Sequence, residues 1–239
     1  MVDVRLAGMF LTLLVVLVVS GALLAGALWG IYGGLRGRVE GFLMALAGGA
    51  LLLSVTTELI EPSILESSIW VSMAGVLAGA LVFSVVDYWI DEKWGADSGG
   101  GLLAAITLDG IPENLALGVA LIGASVPEVA ALAGSILLSN LPEAAGGARQ
   151  MAKSGKSKTR IFGLWALTAL ILSAAAVAGN LLLEGVSGNV LAFIRCFAAG
   201  AVVASLATEV FPDAYRKDSH AAGVATAIGV VLAFLLSEV

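Results

Sequence analysis

Apolar stretches of about 20 residues recur along the whole of this 239-residue chain, each long enough to cross a hydrocarbon layer roughly 30 Å thick. Eight spans are predicted, at 6–32, 41–60, 69–90, 101–123, 127–149, 161–183, 190–211 and 220–237. Connections this short leave no room for a separate soluble domain. The expected fold is therefore an all-α polytopic membrane protein forming a single transmembrane domain over 1–239. Composition agrees: 59% of residues are hydrophobic and only 13% charged, with a mean hydropathy of +1.02, outside the range of soluble domains. Ser20-Gly21-Ala22 has the small residues of a signal-peptide cleavage site, but the apolar run continues to Tyr32, which favours an uncleaved span.

The twelve basic residues orient the spans. Arg36 and Arg38 follow span one, and Lys93 follows span three. Arg149, Lys153, Lys156, Lys158 and Arg160 surround the connection after span five. Arg216 and Lys217 follow span seven. Ten of the twelve thus fall on odd-numbered connections, leaving Arg5 and Arg195 opposite. The positive-inside rule places those connections in the cytoplasm and both termini outside the cell membrane. Trp70, Trp89, Trp94 and Trp165 lie near span ends, where interfacial aromatics belong. Segments 91–101 and 150–160 read as polar loops, the latter with contact to anionic lipid in reach.

The chain repeats itself. Gly49-Ala50, Ser54 and Thr57-Glu58 in span two recur as Gly200-Ala201, Ser205 and Thr208-Glu209 in span seven, at a constant offset of 151 residues. Spans four and five share a Pro-Glu pair at an offset of 30. Each pair of spans differs by an odd number and so crosses in opposite directions, the parity of an inverted-topology repeat.

Those Pro-Glu pairs carry the chemistry. Span four reads Asp109-Gly110-Ile111-Pro112-Glu113, and span five reads Ser139-Asn140-Leu141-Pro142-Glu143. A charged side chain at the bilayer centre costs about 2.5–3.5 kcal/mol on insertion scales. Asp109 and Glu113 are four apart and share a helix face, as do Ser139 and Glu143. Pro112 and Pro142 each remove a backbone donor, freeing the carbonyls of Leu108 and Leu138 as extra oxygen ligands. The result is a hard, oxygen-rich set suited to a cation. A buried carboxylate is also explained by protonation or by a structural partner. No Lys or Arg is expected at mid-depth to supply one.

Acidic groups near the faces form a weaker tier: Glu58 and Glu61 at the outer end of span two, Glu209 and Asp213 at the inner end of span seven. They read as mouths of a pathway or simply as acids facing water. Asn180 and Glu184 are weaker still, and His220 reads as a surface residue. Cys196 is the single cysteine and reads as a small apolar residue. The sequence has no phosphate loop, no nucleophile–base arrangement, no Cys/His metal motif and no nucleic-acid signature, so an enzyme is not expected. Gly75-x-x-x-Gly79 permits a homodimer.

Taken together, the eight spans, the outside termini, the two Pro-Glu motifs, and the endings Glu58…Glu61-Pro62 and Glu209…Pro212-Asp213 resemble the ZIP family of divalent metal transporters. The resemblance covers nearly the whole chain. It implies spans grouped three, two and three, a metal site between spans four and five, and movement of Zn²⁺, Mn²⁺ or Fe²⁺ into the cytoplasm, with no permanently bound cofactor. By motif position Asp109 takes the place of the family's usual histidine, Glu113 and Glu143 are glutamate ligands, and Ser139 and Asn140 fill the polar positions of span five. Gly110 replaces an asparagine and Asn114 a glycine, and span six lacks the carboxylate that completes a second metal position in some members. An oxygen-only centre favours Mn²⁺ or Fe²⁺ over Zn²⁺. The alternatives are a proton- or sodium-coupled carrier of another cation, and a relative that binds metal without transporting it.

Overall fold

The computed structural model describes residues 2–33, 36–94, 101–122, 126–183 and 185–237. The side chains of residues 2–8, 91, 93, 94, 101, 102, 105, 109 and 126–128 are outside that description. No strand occurs among the described residues. The helices in order are α1 (Val2–Tyr32), α2 (Gly37–Val55), α3 (Glu61–Glu66), α4 (Ile69–Trp94), α5 (Gly101–Ala120), α6 (Val126–Lys153), α7 (Lys158–Leu182), α8 (Gly188–Ser205), α9 (Phe211–Lys217) and α10 (Ala222–Ser237). One π-helical turn, Thr56–Ile60, joins α2 to α3, and another, Leu206–Val210, joins α8 to α9.

Among the described residues six helices are long and apolar enough to cross a membrane: Met9–Tyr32, Gly37–Glu66, Ile69–Ile90, Val129–Lys153, Lys158–Leu182 and Gly188–Lys217. Ala222–Ser237 is apolar but shorter. Their outward faces carry Phe10, Leu17, Leu77, Leu170, Leu235 and similar exposed side chains, as expected of a lipid-facing surface. The chain is a helical, membrane-embedded protein.

Three sequence expectations change in detail. The polar segment 91–101 is shorter than expected, because α4 continues to Trp94 and α5 begins at Gly101; residues 95–100 lie outside the described residues. Segment 150–160 narrows to a tight turn over 154–157, between the end of α6 and the start of α7. Gly155, at φ 80, closes α6 with bonds from Gly155 N to Ala152 O (3.1 Å) and Lys156 N to Met151 O (3.2 Å), the paired pattern of a glycine-terminated helix. Ser157 then caps α7, accepting from Arg160 N. Finally, Trp165 is completely buried, among Leu23, Ile106, Met151 and Ile161, whereas Trp70 and Trp89 are exposed. Position near a span end does not distinguish an interfacial ring from one turned into the bundle.

The π turns share a cause. Each is closed by a bond reaching back five residues, from Glu61 N to Thr56 O and from Phe211 N to Leu206 O. Each is followed, one residue further on, by a proline, Pro62 or Pro212, which has no N–H to donate to the preceding turn. The sequence offset of 151 that relates Glu58 to Glu209 drops to 150 between these prolines.

The helices pack in pairs: α1 on α6, α5 on α7, α2 on α10, and α4 on α8. Small residues make the pairing close. Gly49 lies against the backbone of Thr226 and Gly229 against that of Leu46; Gly200 lies against Val76 and Gly79 against Phe197. Adding 150 or 151 to the first residue set of α2 or α4 generates the second in each case. The contacts also give direction. Thr107 bonds Thr168 and Asn180 bonds the Gly118 carbonyl, so α5 and α7 run parallel. Gly26 meets Leu141 and Gly30 meets Ala145, so α1 and α6 do as well. Gly41 meets Ala214 and Lys217 while Gly48 meets Phe211, so α2 and α9 run antiparallel.

Candidate cation site

The two Pro-Glu motifs sit on different helix pairs. Glu113 belongs to α5, which is held to α7 by the Thr107–Thr168 contact (3.3 Å) and by Asn180 donating to Gly118 O (3.1 Å). Glu143 belongs to α6, which is held to α1 by Asn140 Nδ2 donating to the Val19 carbonyl (3.3 Å). A hydroxyl pair, Ser20 with Ser173 at 2.7 Å, joins α1 to α7. Both helices continue through their prolines.

This arrangement puts the two glutamates within electrostatic reach of each other. Glu113 is buried and Glu143 half-buried. The charges that act on Glu143 are Glu113, Glu209, Lys217 and Asp213. Carboxylates from α5, α6, the second π turn and α9 thus lie within electrostatic reach of one another, together with the Lys217 ammonium. Such a cluster favours cations, because mutual repulsion in a poorly screened interior is relieved only by positive charge or protons.

The remaining expected residues fall out as follows. Ser139 is buried and donates to its own helix at Ile136 O (3.0 Å), leaving the lone pairs of its hydroxyl oxygen available. Asn140 is buried, and its amide nitrogen is committed to α1. Asp109 lies on α5 one turn before Glu113, and its side chain is outside the described residues. Among the described residues no three Asp, Glu, His or Cys side chains converge tightly enough to grip a metal ion. Glu209 and Asp213 connect electrostatically to Glu143. Glu58 sits in the first π turn with Thr57 Oγ1 at 3.4 Å, and Glu61 is exposed on α3. Glu184 lies outside the described residues.

Sequence reasoning missed two contributors. Asn114, noted only as a departure from a family pattern, is fully buried beside Glu113. Its Nδ2 donates to Gly110 O (2.9 Å) while its Oδ1 has no hydrogen-bond partner. The second is Glu40. It is 4% exposed at the start of α2 and pairs with Lys217 at 2.8 Å. Its position in the first turn of a long apolar helix makes it look like a solvated end charge, and only the packing of α9 and α6 against it reveals otherwise. Buried hydroxyls of Ser54 and Ser205, equivalent positions in the repeat, also have no partner.

No family model and no curated protein matches the sequence.

Proposed function

We propose that the protein is an eight-span transporter of the ZIP type, its spans grouped three, two and three as an inverted repeat with both termini outside the cell membrane. It carries a divalent metal cation, Zn²⁺, Mn²⁺ or Fe²⁺, into the cytoplasm. Glu113 and Glu143 are the principal ligands, with Asp109, Asn140 and Ser139 completing an oxygen set at mid-membrane. The observation that carries this reading is the electrostatic coupling of Glu113 and Glu143, from two proline-containing helices, inside a bundle where the Lys217 ammonium already serves Glu40. Support for the repeat comes from the glycine contacts. The pair Gly49–Thr226 and Gly229–Leu46 has its counterpart in Gly200–Val76 and Gly79–Phe197. The parallel and antiparallel pairings fit spans that alternate in direction.

A harder, nitrogen-free ligand set orders the substrates: Mn²⁺ and Fe²⁺ before Zn²⁺. The test is uptake of a panel of divalent metals by vesicles containing the protein. Glu113→Gln and Glu143→Gln should each abolish uptake while the protein inserts at the parent level. Unchanged uptake in both variants would refute the assignment.

A further inference from the structure

Lys217, counted from the sequence as one of the cytoplasmic basic residues, is built into the interior. Its ammonium lies 2.8 Å from Glu40 Oε1 and 3.6 Å from Asp213 Oδ2, with the Met44 sulfur at 3.3 Å. The two partners differ in access to water: the Glu40 side chain is 6% exposed and that of Lys217 is 28%. A carboxylate that deeply buried needs a cation beside it, and Lys217 supplies one at 2.8 Å. Helix packing fixes the position of the pair. The backbone of Gly41, next to Glu40, lies against Lys217 and Ala214, so the start of α2 and the end of α9 meet at one end of the bundle. That is the end at which Lys158 stacks over Tyr32 and α6 terminates at Lys153.

The pair also stands in a definite relation to the cation site. The Glu40 carboxylate presses on α6 at Gly146, where a Cβ would collide with it and would lie 3.9 Å from Lys217 Nζ. Gly146 is three residues beyond Glu143, on the same helix face and nearer the basic end. Glu143 in turn interacts electrostatically with Lys217 and Asp213. Going toward the basic end, the order is therefore Glu143, then the ammonium held by Glu40 and Asp213.

We propose that the Glu40–Lys217 pair is the inner gate of the Glu113–Glu143 site: a tethered ammonium that closes the way from Glu143 to the basic end and swings aside for a cation to leave. The proposal rests on the transport reading of that site. Lys217 suits the part because it occupies the position a departing cation must pass, is held by the same kind of oxygen ligands, and keeps a partial outlet to water on a flexible stem. Asp213 offers the ammonium a second partner one turn away on α9, itself also paired with Arg216.

The gate is tested by accessibility, which does not depend on metal movement. A single thiol is placed at the site, Glu143→Cys with Cys196→Ala, and vesicles exposing the 150–160 turn to the medium receive a membrane-impermeant cationic methanethiosulfonate. With Glu40 and Lys217 intact, modification is slow. With Glu40→Gln/Lys217→Met, which removes both charges at nearly constant shape, it accelerates on the order of tenfold or more as the open population rises. The swapped pair, Glu40→Lys/Lys217→Glu, keeps the slow rate and guards against a misfolded first variant. Arg216→Ala, which removes the neighbouring surface pair, leaves the rate unchanged. Equal rates with and without the Glu40–Lys217 pair, or equal acceleration by Arg216→Ala, overturn the gate. Failure of the transport reading shows separately, as metal uptake insensitive to Glu113→Gln.

Discussion

The glycine contacts make a quantitative prediction about the two halves of the bundle. At Gly79 a Cβ would stand 2.7 Å from the Phe197 carbonyl carbon and 3.0 Å from its Cα; at Gly229 the corresponding carbonyl carbon, of Leu46, is at 2.8 Å. These are backbone atoms in the middle of packed helices, so no side chain can rotate away. The carbonyl oxygens of Phe197 and Leu46 lie closer still, so restoring ordinary contact requires each helix pair to part by roughly 1 Å or more, enough to forfeit about half of the dispersion energy of atoms on either side. Overpacking of this kind costs about 1–3 kcal/mol. Alanine also favours a helix over glycine by about 1 kcal/mol, which offsets part of the cost. Gly163, with nothing within 4 Å of its Cβ position, isolates that second effect. The expected results are stabilisation of up to about 1 kcal/mol for Gly163→Ala, and values less favourable by about 1–3 kcal/mol for Gly79→Ala and Gly229→Ala. The two clashing sites should agree to within about 0.5 kcal/mol, and their double variant should be additive, since they lie on separate interfaces. A mixed-micelle unfolding titration followed by circular dichroism measures all four. If Gly79→Ala tracks Gly163→Ala, the backbone-on-backbone packing is wrong. If Gly79 and Gly229 differ several-fold, so is the equivalence of the two interfaces.

Two further outcomes use the same assay. Lys217→Met alone leaves a nearly buried carboxylate uncompensated and should cost about 3 kcal/mol, the low end of the range for breaking a buried pair because the lysine is partly hydrated; adding Glu40→Gln should recover most of it. Trp165→Ala should cost about 3–5 kcal/mol by opening a cavity among Leu23, Ile106, Met151 and Ile161, a loss that an interfacial tryptophan would not produce.

The helices themselves were legible because hydrocarbon leaves little choice: a run of apolar residues long enough to span must satisfy its own backbone. What the run could not convey was how helices end. Segment 41–60 was expected to stop at Ile60, yet Gly37–Glu66 continues through a π turn, and Gly188–Lys217 does the same in place of 190–211. A π turn accommodates the proline that would otherwise terminate the helix, and apolar periodicity carries no mark of that local exchange of partners. The repeat at 151 was visible in Gly49, Ser54 and Glu58, but its slip to 150 at Pro62 and Pro212 has meaning only once the π turns Thr56–Ile60 and Leu206–Val210 are seen to be related by the same 150.

The site divides along a similar line. Glu113 and Glu143 announced themselves because a glutamate in the middle of an apolar run is costly wherever the helix packs. Glu40 and Lys217 sit at the ends of such runs, where a charge costs nothing until a neighbouring helix covers it. Counting basic residues used Lys217 only as a marker of one end of the bundle and said nothing of what it pairs with. Burial of Glu40 by α6 and α9 turns a topological marker into a counter-ion. It also means that Lys217 contributes a positive charge to the field at Glu143. On the proposed transport reading, a cation entering the site would therefore compete with an ammonium as well as with protons, and its release would be coupled to where that ammonium goes.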